Sequence, residues 1–369
     1  MKYITHLLPT LFAATLLLVA CGPAETTNSE MVSPTSDGAA AEATTAPQAE
    51  SATDETAASD NGCDEGFRLF GHEMLATDPV CIPADPQRIA TIEPFSTETY
   101  LAMDVPLVAM RNIPSLLSKV PELESKLEGV IDTNQPVNLE TLLTADPDLI
   151  IGLDGSIDIY EELSAIAPTV LFAFGGSGEW KDVSYASAEA IGMSDEIDAI
   201  FAEYDQRVAA LRETLGDNPP VVSVIRAYPD AINLYLRESF PGTVMEDAGI
   251  PRPASQDFSA DEASEQFDNP IQYTISLENL PDADADKIIV WTFGSSADIA
   301  ENAQTQLNNL FDEPLWQALG AVQNGEVYNG GSYWIGSGIY AAHNVLDDLF
   351  TFVAEVDPAE VSPNPLLTE

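Results

Sequence analysis

Positive charge is scarce in this chain. Its 369 residues include 13 Lys and Arg against 61 Asp and Glu, a formal net charge of −48 at pH 7. Nucleic-acid backbones are held by clusters of Lys and Arg; none is present, so nucleic acid is excluded as a partner. Histidine is scarcer still. Of three residues, His6 lies in an apolar leader, and His72 and His343 stand far apart, which excludes a His-rich zinc or manganese site. No Tyr-Tyr pair offers adjacent phenolates to a bare ferric ion. There is no Gly-x-Gly-x-x-Gly turn after a strand, no Walker A run and no Gly-x-Ser-x-Gly elbow, so the usual signatures of nucleotide and acyl-transfer enzymes are missing. No apolar run reaches the roughly 20 residues of a membrane-spanning helix. Apolar residues still make up 45% of the chain, enough for substantial cores. At roughly 100–200 residues per domain, the length suits two domains or one two-lobed unit.

Lys2 precedes an apolar run from Leu7 to Val19, the length of an export-signal core and too short for a span. Residues 1–20 are expected to be a signal peptide. The run ends in Leu18-Val19-Ala20-Cys21-Gly22, which resembles the lipobox of bacterial lipoproteins and makes Cys21 the expected site of lipidation. Residues 22–62 hold eight acidic residues, no basic ones and no aromatics. Such a segment cannot bury enough apolar surface to offset its ordering entropy. Residues 21–62 therefore read as the lipidated Cys and a disordered acidic tether, about 35 Å end to end as a flexible coil. The working body is exported, anchored to the cell membrane, and faces the periplasm or the exterior. Within it, Cys63 and Cys81 are expected to form a disulfide at the base of a hairpin around Phe67–Leu75. Metal binding by the two thiols with His72 is the alternative.

The body contains an internal echo. Asn138-Leu139-Glu140 precedes Asp146, Asp148 and Ile150-Ile151; Ser276-Leu277-Glu278 precedes Asp284, Asp286 and Ile288-Ile289 at the same offsets. Each copy reads as an N-cap, a short helix, an acidic turn and a buried parallel strand. Ile89–Ile92 and Val221–Ile225 open the two halves as apolar strands. Between them Ile197, Ile200, Phe201, Tyr204, Val208, Leu211 and Leu215 form an apolar helical stripe. A single helix from Asp182 to Leu215 would be about 50 Å long and would brace both halves. A second amphipathic helix is expected over Ile339–Val353. The domains so read are an N-terminal lobe at 63–181, an inter-lobe helix at 182–216 and a C-terminal lobe at 217–369.

In order and coverage, these stretches resemble the substrate-binding lipoproteins of ABC importers for ferric siderophores, haem and vitamin B12. The resemblance is carried by Pro86-Gln87-Arg88-Ile89, the Asn138–Gly152 repeat, Tyr160-Glu161-Glu162-Leu163 to Val170, Ser239–Val244, the Ser276 repeat, Pro314-Leu315-Trp316 to Tyr328, and Leu346-Asp347-Asp348-Leu349. Val224-Ile225-Arg226 and Leu234-Tyr235-Leu236 bring it nearest to the ferric-siderophore branch. The resemblance implies an α/β fold of two Rossmann-like lobes joined by one long α-helix, with the ligand cleft between them. It implies a non-enzymatic receptor that takes a ferric siderophore to a permease dimer, working as a monomer and without cofactor, iron entering only within its chelate. A corrinoid or haem binder of the same family, a cell-surface enzyme on Rossmann-like lobes and an envelope scaffold are the alternatives.

An anionic chelate with saturated iron calls for guanidinium forks and flat aromatic walls. Ligands of open α/β sheets gather at the carboxyl ends of strands, which selects Arg111, Arg226 and Arg237. Tyr333 and Trp334 form a candidate aromatic wall, with Trp180 and Tyr228 as further candidates, and Trp291 reads as strand-end core. Asp132-Thr133-Asn134 stands where the hydroxamate-binding branch places an Arg, which leans the ligand toward a carboxylate-bearing siderophore or ferric citrate. The family's docking pattern, one acidic residue per lobe, falls on Glu140 and Glu278. Stabilisation of a helix N-terminus is the structural alternative for both.

Overall fold

The computed structural model describes residues 62–112, 123–294, 297–336 and 338–367; Cys21 and the tether lie outside them. The described chain opens with a hairpin of β1 (Phe67–Phe70) and β2 (Val80–Pro83). The Cys63–Cys81 disulfide ties the approach of β1 to the middle of β2. The connection between the strands is longer than expected, because its middle pairs elsewhere: the amides of Ala76 and Ala173 donate to the carbonyls of Leu171 and Met74 at 2.9 and 2.6 Å. The hairpin thereby covers one edge of the first sheet, an edge otherwise open to further pairing.

That sheet is parallel throughout, in the order β5 (Ile131–Asp132), β4 (Leu107–Met110), β3 (Ile89–Thr91), β6 (Leu149–Leu153), β7 (Thr169–Phe172). Helices α1 (Pro94–Ala102), α2 (Leu139–Ala145) and α3 (Tyr160–Ile166) connect its strands. The second sheet has the order β10 (Gln272–Ile275), β9 (Ile232–Tyr235), β8 (Val222–Ala227), β11 (Lys287–Thr292), β12 (Val327–Asn329). Here β9 runs antiparallel to both its neighbours, while β8, β11 and β12 are parallel.

The internal echo has a physical basis. Asp148, at the entry to β6, accepts hydrogen bonds from the amides of Gln87 and Arg88 at 2.8 and 2.9 Å. Asp286, at the entry to β11, accepts from the Val221 amide at 2.8 Å. Each repeated acid holds the start of its sheet's central strand. The copies differ just upstream. Asn138 caps α2 through the Thr141 amide, but Leu277–Ala283 is a 3₁₀ segment containing Pro281, with no side-chain cap from Ser276. Proline lacks the amide proton that an α-helix needs inside.

The single beam expected over 182–216 is two helices, α4 (Trp180–Ala190) and α5 (Ser194–Leu215). Gly192 adopts φ 76°, and the amides of Gly192 and Met193 close back on the carbonyls of Glu189 and Ala188 at 3.1 and 2.9 Å. This is a Schellman termination, so the amphipathic stripe belongs to α5 alone. The last long helix, α9 (Ile339–Phe352), was expected to be amphipathic but is buried on almost every side. It packs among α1, α5 and α6 (Phe240–Asp247).

One continuous cluster of buried apolar side chains joins the halves, running from Phe70 and Phe172 through Trp180, Phe201 and Tyr204 to Phe240, Trp334 and Phe350. Polar contacts cross the same seam. Glu98 of α1 accepts from the Ala341 amide of α9 at 3.0 Å, Ser177 Oγ accepts from the Phe240 amide at 3.1 Å, and Trp180 Nε1 donates to Thr243 Oγ1 at 3.1 Å. Gly178 lies so close to the second half that a Cβ there would meet the Glu238 carbonyl oxygen at 2.3 Å.

Inside this cluster α5 and α9 are held by buried Arg207. It donates to His343 Nδ1 at 3.1 Å and to the Ser362 carbonyl at 3.0 Å, and it pairs with Asp347 at 2.5 Å. His343 is a packed helix histidine. Burial, and then the Arg207 charge, lower its pKa from 6.5 to about 3. The folded chain keeps His343 neutral while the unfolded chain binds a proton below about pH 6.5. The resulting stability is complete above that pH and declines as pH falls from about 6.5 toward 3. The melting temperature of wild type is expected to fall more steeply over that range than that of His343→Gln. Parallel curves in thermal melts by circular dichroism would assign the acid response to other groups.

Candidate functional site

In each sheet the chain runs outward from the central strand on one side, then resumes on the other, so the switch points lie between β3 and β6 and between β8 and β11. Crevices at such points are where open α/β sheets bind ligands. In the second sheet, Arg226 of β8 and Trp291 of β11 are register partners beside this point. Parallel partners share a face, and the two side chains meet: the guanidinium carbon lies 4.7 Å from the indole centre. It also lies 4.0 Å from the Tyr228 ring and 5.7 Å from the Phe293 ring. Arg226 Nη1 donates to Tyr235 Oη at 3.0 Å, and the Tyr228 hydroxyl donates to Gln272 Oε1 at 3.0 Å. Burial raises the Tyr235 pKa and the Arg226 charge acts against that rise, so the phenol stays protonated.

Arg226 is 8% exposed, yet among the described residues no carboxylate lies within 4.0 Å of it. Other buried cations here have partners: Arg207 has Asp347, and Lys287 has Glu326 and Glu355. A buried guanidinium lined by rings and hydroxyls, without a counter-charge, is suited to an anion from outside.

The first sheet carries a counterpart of opposite sign. Ala90 pairs with Ile150 and Ser223 with Ile288. Because Ile150 and Ile288 are equivalent in the echo, Glu93 occupies the place of Arg226. Glu93 is buried, and its carboxylate accepts from the amides of Phe95 and Ser96 at 2.5 and 2.8 Å. Burial raises its pKa, opposed by those hydrogen bonds and by the charge of Arg111. Arg111 sits at the carboxyl end of β4 and donates to Gln135 Oε1. Burial lowers its pKa, while Glu93 and Asp132 pull it back up. The two lobes thus bring Glu93 with Arg111, and Arg226 with four aromatic rings, to their strand ends.

Other expected site residues lie elsewhere. Arg237 follows β9, and because β9 is antiparallel to β8 it emerges at the opposite end of the sheet from Arg226. There it pairs with Asp257 at 3.1 Å and with Glu262 at 4.0 Å. The expected aromatic wall is packed away. Tyr333 Oη and Trp334 Nε1 both donate to Asp348 Oδ2, at 2.6 and 2.7 Å, and Trp334 and Trp180 are fully buried. These three rings bind the lobes together in the shared core and offer no face to a ligand. Tyr228, a further candidate, lies against the Arg226 guanidinium. Tyr235, Phe293 and Gln272 were not anticipated; alternation beyond the Arg226–Trp291 pair of β8 and β11 is the signal that finds Phe293, whereas Tyr235 comes from β9.

Two cavities of about 510 and 540 Å³ share Gly175, Glu179 and Asp182, and acids Glu73, Glu238 and Asp261 complete their walls. The sign of that lining repels an anionic ligand. Glu140 and Glu278 are exposed, each in the first turn after its repeated cap position.

Residues 89–333 match the family described as periplasmic binding protein. The chain belongs to that family. It is similar to the "Probable siderophore-binding lipoprotein YfiY" of Bacillus subtilis (strain 168), 32% identical over 291 residues, covering 77% of this chain and 87% of that protein. It is also similar to the achromobactin-binding periplasmic protein of Dickeya dadantii, 27% identical over 274 residues, covering 72% and 85%. Among solved structures, Staphylococcus aureus SirA complexed with staphyloferrin B shares the fold with a TM-score of 0.65 at 23% identity, covering 76% of this chain and 97% of that one. The Bacillus subtilis protein FeuA complexed with ferri-bacillibactin does so with a TM-score of 0.61 at 20% identity, covering 76% and 97%.

Arg226→Ala is expected to weaken an anionic ligand by about 2–5 kcal/mol, the loss typical of a buried charge pair. Arg237→Ala, already paired with two local acids, should leave affinity nearly unchanged. Calorimetric titration of both variants checks this, and equal effects at the two positions would place the ligand away from the Arg226 cage.

Proposed function

We propose that this chain is a non-enzymatic, lipid-anchored receptor that captures a ferric siderophore outside the cytoplasm and delivers it to the permease dimer of an ABC importer. The observation that carries the reading is the buried Arg226 guanidinium, ringed by Tyr228, Trp291 and Phe293 and without a carboxylate. A ferric chelate supplies the missing negative charge and flat groups to stack on those rings. Its iron is already saturated, so the protein needs no metal ligands of its own and no cofactor. The printed names of its relatives, which include a siderophore-binding lipoprotein and an achromobactin-binding protein, support the same class of ligand. Lipidation at Cys21 would hold the receptor at the membrane beside its permease.

Tryptophan fluorescence titrated with a panel of ferric siderophores, each with its iron-free form as control, tests the reading. Quenching by at least one ferric complex, and not by its iron-free form, is expected. No response across the panel would remove the siderophore assignment.

Delivery requires docking. The exposed carboxylates of Glu140 and Glu278, one per lobe, are proposed to meet matching cations on the two permease subunits. Exposed ion pairs govern orientation and on-rate more than affinity and weaken with salt. The double variant Glu140→Arg with Glu278→Arg is expected to bind ligand normally yet abolish cellular uptake. Normal uptake by the folded double variant would leave both residues as structural acids only.

A further inference from the structure

Two adjacent donors in the Arg226 cage have no acceptor. Arg226 Nε and Trp291 Nε1 are buried without any hydrogen-bond partner among the described residues, on side chains that are 8% and 1% exposed. They belong to register partners on β8 and β11, and the guanidinium lies against the indole itself. Neighbouring groups are committed elsewhere: Tyr235 Oη already receives Arg226 Nη1, and Tyr228 Oη is turned to Gln272. Unpaired buried donors are costly, more so on a charged group. In a chain with 61 acidic residues, a buried cation left without a carboxylate marks a place where the partner comes from outside.

We infer that Arg226 and Trp291 together form a receptor for one carboxylate of the ligand, Arg226 Nε–H donating to one oxygen and the Trp291 indole N–H to the other. The inference rests on the siderophore reading and narrows it to ferric complexes that present a carboxylate. A carboxylate brings two acceptor oxygens in one rigid plane together with the missing charge. A neutral trihydroxamate complex brings acceptors without charge, and a tris-catecholate brings charge spread over oxygens already bound to iron. Entry passes Tyr228 and Phe293, which keep part of their surface exposed while Trp291 is buried. Trp291, by sequence a strand-end core residue, becomes a specificity-determining one.

The test is calorimetric titration of the full chain and its Trp291→Phe and Arg226→Lys variants with ferric citrate, a ferric tris-catecholate and a neutral ferric trihydroxamate. Phe keeps an aromatic ring against the guanidinium and removes the N–H together with one ring of the indole; Lys preserves charge and removes the fork. Ferric citrate should bind wild type, and Trp291→Phe should weaken it about tenfold, the loss of one charge-assisted hydrogen bond. Arg226→Lys should weaken it too. Any binding of the trihydroxamate should be unaffected by Trp291→Phe. In unsubstituted protein, gallium(III) citrate, a diamagnetic analogue, should move the Trp291 indole N–H resonance downfield, a readout that needs no variant to fold. An unmoved resonance with unchanged citrate affinity in Trp291→Phe overturns the inference. So does wild type that binds only the catecholate or the trihydroxamate, and either result leaves the siderophore reading intact. Binding of none of the three overturns both.

Discussion

The shared core between the lobes is the constraint on which the rest depends. Each sheet has a small hydrophobic cluster of its own on one face, but the large cluster belongs to both halves at once. All described residues accordingly lie in one compact unit. Trp180, Tyr333 and Trp334 are committed to that packing, with Asp348 satisfying the polar atoms of two of them. Glu98 and Ser177 then close the backbone donors at the seam. Interiors packed to this density do not deform smoothly, so the strand ends of the two lobes keep a defined relation to each other.

Charge is arranged against that background with economy. Among the described residues most of the scarce cations are bound to local acids or carbonyls: Arg88 to the carbonyls ending α2, Arg68 to those ending α4, Arg207 to Asp347. Arg226 is the exception that matters, because its surroundings are aromatic. Its counterpart in the first lobe, Glu93, faces two backbone amides at the start of α1 and the charge of Arg111. One lobe surrounds its buried charge with two amides and a cation; the other surrounds it with aromatic rings.

Much of the architecture was legible in the residues. The repeated Asp148 and Asp286 and the apolar runs behind them announced two α/β halves, because a strand buried on both faces must be apolar throughout. The pairing of Cys63 with Cys81 followed from their number and spacing. The beam was misread because an apolar stripe continues past a helix end unless the terminator is noticed, and Ile191-Gly192-Met193 is such a terminator. Arg237 was misplaced because strand direction in a mixed sheet depends on pairings that no local pattern shows. The aromatic wall failed for a related reason: composition places Tyr333 and Trp334 in a loop, and only tertiary packing reveals that this loop is interior. Arg226 and Tyr228 could be singled out from the sequence and lie in contact, whereas the contact of Trp291 with them needed the register of β8 on β11.

That register is set at the far end of the sheet. Parallel strands can slip, and a shift of one residue sends every side chain to the opposite face. Asp286, at the entry to β11, grips the Val221 amide just before β8, and Asp148 grips two amides before β3 in the same manner. Five residues beyond Val221 the alignment must still hold for Arg226 and Trp291 to share a face. A solvent-side carboxylate that touches no ligand therefore acts as an indexing pin. It determines which side chains face each other in the cage at the other end of the sheet.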